Sequence, residues 1–129
     1  MAEPQVTSLR SIEYNVPDLA KTSRFYELCW GLKKVAEEDG TNYFRATGAE
    51  HHIVVLHEGG KASVNRVNFS AQDSAAVDGL HAKLSGLGIT TDGDPKNISG
   101  PGGGYGFGFT DRDGLNYAIS SDVAVHSDT

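Results

Sequence analysis

From Leu9 to Val16 apolar and polar residues alternate, with Ile12, Tyr14 and Val16 on one side and Ser11, Glu13 and Asn15 on the other. That is the pattern of a strand buried on one face. Pro17-Asp18 stops it and supplies a helix N-cap. Phe25, Leu28, Cys29 and Leu32 then recur at helical spacing, which predicts one buried helical stripe, with Gly31 placed to end the helix. Cys29 is read as a small apolar core residue of that stripe. Three short strands follow, near Lys34 to Ala36, Thr41 to Ala46 and His51 to His57, with turns at Asp39-Gly40 and Thr47-Gly48.

The same order returns further along the chain. Val64 to Ala71 reads as a strand and Asp73 as a cap, and Val77, Leu80, His81, Leu84 and Leu87 form a second buried stripe ended by Gly86 or Gly88. His81 is read as a packed helix histidine. Strands near Ile89 to Thr91, Tyr105 to Thr110 and Leu115 to Ser120 complete the pattern, with a hairpin turn at Asp113-Gly114. Asp18 and Asp73, Phe25 and Leu80, Cys29 and Leu84, Gly31 and Gly86, and Ile12 and Val67 are each 55 positions apart. A fixed offset between like residue types marks one unit used twice. The predicted fold is α+β: two tandem βαβββ modules, about 7–60 and 62–122, forming a cup-shaped mixed sheet with the helices on the outside. The polar tail 122–129 is expected to fray.

Composition narrows the function classes. The 129 residues carry 17 acidic against 11 basic side chains, a formal charge of -6, with no basic run, so nucleic acid is excluded as an expected partner. One cysteine cannot build a disulfide framework or a cysteine-rich zinc site. No stretch has signal-peptide or membrane-spanning character, so a cytoplasmic protein with no membrane partner is expected.

Two features hint at chemistry. The glycine-rich run Gly100 to Gly108 could suggest a phosphate cradle, but it feeds a strand and not a helix N-terminus, so it reads as a flexible rim loop. The histidines at 51, 52, 57 and 81 lack ligand spacing; in a strand His51 and His52 face opposite ways, and only His52 shares parity with Val54 and Leu56.

The doubled βαβββ pattern, Val16-Pro17-Asp18-Leu19, Phe25-Tyr26, Gly31-Leu32 and the Asp111-Arg112-Asp113-Gly114 turn resemble the vicinal oxygen chelate superfamily, which includes glyoxalase I, bleomycin-resistance proteins and extradiol ring-cleaving dioxygenases. The segments from Tyr43-Phe44-Arg45 to His57 and from Pro101 to Phe107 resemble most closely the N-terminal domain of two-domain extradiol dioxygenases. That resemblance implies a divalent metal cup whose ligand positions fall here on Ser11, Val54, Arg66 and Ala118. These side chains cannot supply the donors, so no metal or other cofactor is expected. In the two-domain dioxygenases the iron sits in the other domain. The resemblance therefore implies a metal-free dioxygenase-like module of aromatic catabolism; a drug- or metabolite-binding protein of bleomycin-resistance type, or a metal-independent lyase or isomerase, is the alternative.

Strand parity predicts that Ser11, Glu13, Asn15, His52, Val54, Leu56, Arg66, Asn68, Ser70, Asn116, Ala118 and Ser120 line the cup, while Ile12, Tyr14, Val67, Phe69, Tyr117 and Ile119 pack under the helices. Candidate ligand-contacting residues are Glu13, Asn15, His52, Arg66, Asn68, Tyr105 and Asn116. Arg66 would anchor an anion, with His52 or Glu13 as acid or base. Against this stands a solvated or partner-covered face in which Glu13 neutralises Arg66, and that pairing is the expectation. The implied partners are a small aromatic or anionic molecule, and a second copy or a catalytic dioxygenase domain over the open strand edges.

Overall fold

The computed structural model of the protein describes residues 5–125. In chain order its elements are β1 (Val6–Val16), α1 (Leu19–Cys29), β2 (Lys33–Glu38), β3 (Thr41–Arg45), β4 (Val54–Glu58), β5 (Ser63–Ala71), α2 (Ser74–Gly86), β6 (Lys96–Asn97), β7 (Tyr105–Thr110) and β8 (Asn116–Ser121). They form one mixed eight-stranded sheet in the order β2-β3-β4-β1-β5-β8-β7-β6. The opening strands β1 and β5 lie antiparallel at its centre, and each pairs in parallel with the last strand of its own half, β4 or β8. The chain is thus α+β with its βαβββ unit used twice, and the sheet does not close into a barrel.

The 55-residue offset is visible at the caps. Asp18 accepts the Lys21 amide at 3.0 Å and Asp73 the Ala76 amide at 2.9 Å, each satisfying one orphan donor of its helix. Core packing follows the same division. Val16, Phe44 and Leu56 cluster under α1, with Tyr14, Leu19, Tyr26, Leu32 and Val54 around them. Ala71, Val77, Leu80, Phe107 and Ile119 cluster under α2, with Phe69, Leu84, Tyr105 and Phe109 around them.

The first helix departs from its predicted stripe. Phe25, Leu28 and Trp30 are exposed, as is Cys29, so none of them is core. Leu19, Ser23 and Tyr26 face inward instead, and Asn42 donates to the buried Ser23 hydroxyl at 2.8 Å. Leu32 does reach the core, but from beyond the helix. After the cap at Trp30, Gly31 takes φ +69°, a conformation open to glycine, and turns the chain so that Leu32 is no longer on the helical lattice. Leu87 is likewise exposed, one residue past the end of α2.

Several smaller expectations change. Residues 51–53 are not strand; β4 begins at Val54. Around Ile89 to Thr91 there is only a single bridge, Thr91 to Phe109, and the edge strand is β6. Gly106 and Gly108 belong to the expected strand Tyr105–Thr110 and not to a rim loop, and Gly106 has no room for a side chain: a Cβ there would collide with the Ile119 carbonyl and sit 2.9 Å from Ser120 Cα. The tail is tied down as far as Val125: Ala124 donates to the Gly102 carbonyl at 2.9 Å, and Val125 bridges Glu50. The remainder of the predicted frayed tail, 126–129, lies outside the described residues. No helix among the described residues is long and apolar enough to cross a membrane.

Candidate functional site

The concave face of the sheet holds a cleft of about 390 Å³. This is near the lower end of small-ligand sites. Its floor comes from β1 and β5, running side by side with Glu13 opposite Arg66 and Ser11 opposite Asn68. Tyr43 and His52 stand on one flank, Ala118 and Ser120 of β8 on the other, and the segment from Lys96 to Gly103 forms the rim.

Glu13 is the hub of the floor. His57 Nε2 donates to its Oε1 at 2.6 Å, and Asn68 Nδ2 donates to its Oε2 at 2.7 Å while also reaching Ser11 Oγ at 2.9 Å. A carboxylate only accepts, so the His57 proton sits on Nε2 and, in the neutral ring, the Thr41 hydroxyl donates to Nδ1 at 3.0 Å. Burial alone would raise the Glu13 pKa. The His57 and Asn68 hydrogen bonds and the Arg66 charge outweigh it, and the carboxyl is held below its ordinary value.

Arg66 does not make the expected pair with Glu13. Its guanidinium forms no hydrogen bond or ion pair among the described residues; the side chain is exposed, and it acts on Glu13 through charge alone. The physical reason is competition: both Glu13 oxygens are already taken by shorter side chains fixed on β4 and β5.

Arg10, opposite in parity to the cup-facing residues, nevertheless lines the cleft. A register shift between Leu9 and Ser11 re-aims it, the usual effect of a bulge. Its Nε and Nη2 donate to Ser120 Oγ and Ser120 O, both at 3.0 Å, locking β1 to β8 across β5. Burial lowers its pKa, partly offset by Glu50. His52 packs edge-on against Tyr43, with ring centroids 5.0 Å apart, and its Nδ1 meets Nδ1 of His51 at 2.9 Å. Burial, then the His51 ring, push the His52 pKa down to about 4, against the opposing pull of Glu13. Tyr43 is pushed up to about 12 by burial and by Glu38, whose carboxylate accepts its hydroxyl at 3.3 Å.

The structure thus brings together Ser11, Glu13, His52, Arg66, Asn68, Ala118 and Ser120 of the predicted lining. It places others elsewhere. Asn15 bonds Ser63 and Asn65 beyond the cleft, and Ser70 bonds Ser8. Asn116 lines a smaller neighbouring cleft of about 150 Å³ and accepts from Thr110 at 2.9 Å. Tyr105 points the other way, packing on the α2 core and donating to Asp78 at 2.5 Å. Val54 and Leu56 also belong to the core under α1. Parity counted from His52 slips by one because the irregular residues 51–53 precede the strand, so the cup-side residue of β4 opposite Glu13 is Val55. Sequence reasoning missed Arg10, Tyr43 and His57; the first is hidden by the bulge, while the alternation of His57 with Val55 was the available signal for the last.

The superfamily implied by the residue patterns uses a divalent ion in such a cup. The donor set here does not fit one. The facing positions on the four central strands are Ser11, Val55, Arg66 and Ala118, Glu13 and His57 satisfy each other, and a guanidinium stands among them. No group of three His, Cys, Asp or Glu converges among the described residues.

The sequence profile of the Glyoxalase/Bleomycin resistance protein/Dioxygenase superfamily matches residues 8–119. The chain belongs to this superfamily. Among solved structures it is similar to the Mn(II)-bound glyoxalase from Novosphingobium aromaticivorans, at 36% identity and a TM-score of 0.92 over 97% of this chain and 42% of that one. It is similar also to the homoprotocatechuate 2,3-dioxygenase of Brevibacterium fuscum (26% identity, TM-score 0.86, 97% of this chain and 39% of that one). The corresponding enzyme of Arthrobacter globiformis gives 26% identity and a TM-score of 0.85 over the same two shares, 97% and 39%. The chain therefore spans less than half the length of each of these proteins. Among curated proteins, none matches it.

Proposed function

We propose that this chain is the metal-free unit of a glyoxalase- or extradiol-dioxygenase-type enzyme acting on small aromatic compounds, whose metal-bearing unit is a separate copy of the fold in the same assembly. The observation that carries this reading is the occupancy of the cup by Ser11, Val55, Arg66 and Ala118, side chains that give a divalent ion no anchoring set. The length relation supports it, since the solved relatives have room for a second unit of this size. In such an enzyme the floor built on Glu13, His57 and Asn68 is structural, and the cup is covered by the catalytic unit or by a second copy.

The test is metal loading of the purified chain. After incubation with Mn²⁺, Fe²⁺ or Zn²⁺ and desalting, elemental analysis is expected to find well under one ion per chain, and catechols are expected to remain uncleaved. About one tightly held ion per chain, lost on Glu13→Ala or His57→Ala, overturns the proposal.

A further inference from the structure

The cup is electropositive in a protein that is not. Arg10, Arg66 and Lys96 line it against Glu13 and Asp92, three cations to two carboxylates, whereas the whole chain carries a formal charge of -6. Neither carboxylate forms a hydrogen bond or ion pair with these cations among the described residues. Glu13 is bound through both oxygens, and Asp92 Oδ1 accepts the Gly108 amide at 2.9 Å. Arg10 is fixed on Ser120, which leaves its charge in the cleft but directs its Nε and one terminal nitrogen to the protein. Arg66 is different. Its fork lies at the junction of the larger and smaller clefts with no hydrogen bond or ion pair among the described residues. Apolar surface from Ile98, Pro101, Phe107 and Val123 lies in the same cleft.

We propose that the cup binds a small carboxylate with a compact apolar body, its anionic head held by Arg66. A planar guanidinium with its donors free matches a carboxylate bidentately, while the polar floor under it is already satisfied and so does not compete for the head. Arg10 and Lys96 add long-range attraction without occupying the position, and the apolar wall receives the body. The inference stands apart from the metal question: a cup without a metal gains a fixed cation in its place, but an anion would seat on Arg66 whether or not a metal unit lies nearby.

The experiment is a thermal-shift titration in the presence of EDTA, so that no ion can bridge the ligand, using benzoate, its neutral isostere benzamide, and inorganic phosphate. At about ten times the dissociation constant, benzoate is expected to raise the melting temperature by about 4 °C. Benzamide and phosphate should raise it by much less, the first lacking the charge and the second the apolar body. Arg66→Ala should abolish the benzoate response with only a small change in the melting temperature of the free protein, because the side chain is exposed and acts on Glu13 through charge alone, and Arg66→Lys should keep a weakened response. Four results overturn the proposal: no benzoate response up to about 10 mM, an equal response to benzamide, an equal response to phosphate, or an undiminished response in Arg66→Ala. None of these bears on metal content, so failure here and failure of the metal-free reading are distinguishable.

Discussion

The two helices of this protein sit at equivalent places in two copies of one unit, yet they are fastened to the sheet by different chemistry. Helix α2 buries Val77 and Leu80 against Phe107 and Ile119. Helix α1 buries a serine, and at the position 55 residues before the buried Leu80 it exposes Phe25 to 51%. The inward residues Ser23 and Tyr26 are 54 positions from Val77 and Leu80, whereas the caps Asp18 and Asp73 keep the offset of 55. A slip of one position on a helical lattice is a rotation of about 100°, enough to turn an apolar face from the sheet to solvent. A repeat preserved in sequence does not therefore guarantee a repeat in burial.

The largest expected effect comes from cutting the apolar anchor of the second half. Leu80→Ala removes side-chain contacts with a packed cluster and is expected to cost about 2–5 kcal/mol, read from the denaturant midpoint at unchanged slope. The equivalent change in the first half, Phe25→Ala, should cost a small fraction of that. Similar losses from the two would mean that the helices are fastened alike and would dissolve the comparison.

Next in size is the polar anchor of α1. Ser23→Ala leaves the buried Asn42 amide without its acceptor and is expected to cost about 1–3 kcal/mol. Replacing both partners, Ser23→Ala with Asn42→Leu, should recover much of that loss, since the penalty belongs to the orphaned group more than to the missing bond. A double variant no better than the single would show that Ser23 holds the helix by its size and not by its hydroxyl.

Third in size is the acid response of the first half's side of the cup. His52, on the first half, has its pKa lowered from 6.5 to about 4 among His51, Glu13, Arg10 and Tyr43. A histidine depressed on folding binds its proton more readily in the unfolded chain, so stability is full above about pH 6.5 and is lost as pH falls toward 4. The depressed Glu13 carboxyl adds a further loss below its unfolded value of 4.5. His52→Gln should remove about 1–3 kcal/mol of the pH dependence between those two His52 values and leave the more acidic step in place. A His52→Gln profile that overlays the parent's would assign the acid step elsewhere.

Much of this architecture was legible in the chain, and the exceptions have definite causes. Alternation at Ile12, Tyr14 and Val16, the two aspartate caps and the Asp111 to Gly114 turn are local signals, and each matches the structure: Asp111 accepts the Asp113 and Leu115 amides and Gly114 takes φ +87°. What escaped depends on events that parity cannot see. A bulge brings Arg10 into the cup, three irregular residues shift the β4 count from Val54 to Val55, and Gly31 ends α1 before Leu32 can define its face. Arg66 was legible as a cup residue, but its lack of a partner was not, because that depends on His57 and Asn68 reaching Glu13 first.

The smallest expected effect sharpens the comparison from its other side. Leu28 is 73% exposed on α1, so Leu28→Ser removes little buried area, and the change in stability should stay within about 0.5 kcal/mol. Its repeat counterpart under the same offset, Lys83, belongs to the last turn of α2. What separates the halves is one position further on. Cys29→Ser, at an exposed site, should be equally neutral, whereas Leu84→Ser, packed against the Val77 and Leu80 cluster, should cost well over 1 kcal/mol. Matched denaturation curves for Cys29→Ser and Leu84→Ser measure the rotation of α1 directly, and equal losses at the two sites would restore the burial symmetry that the sequence repeat implies.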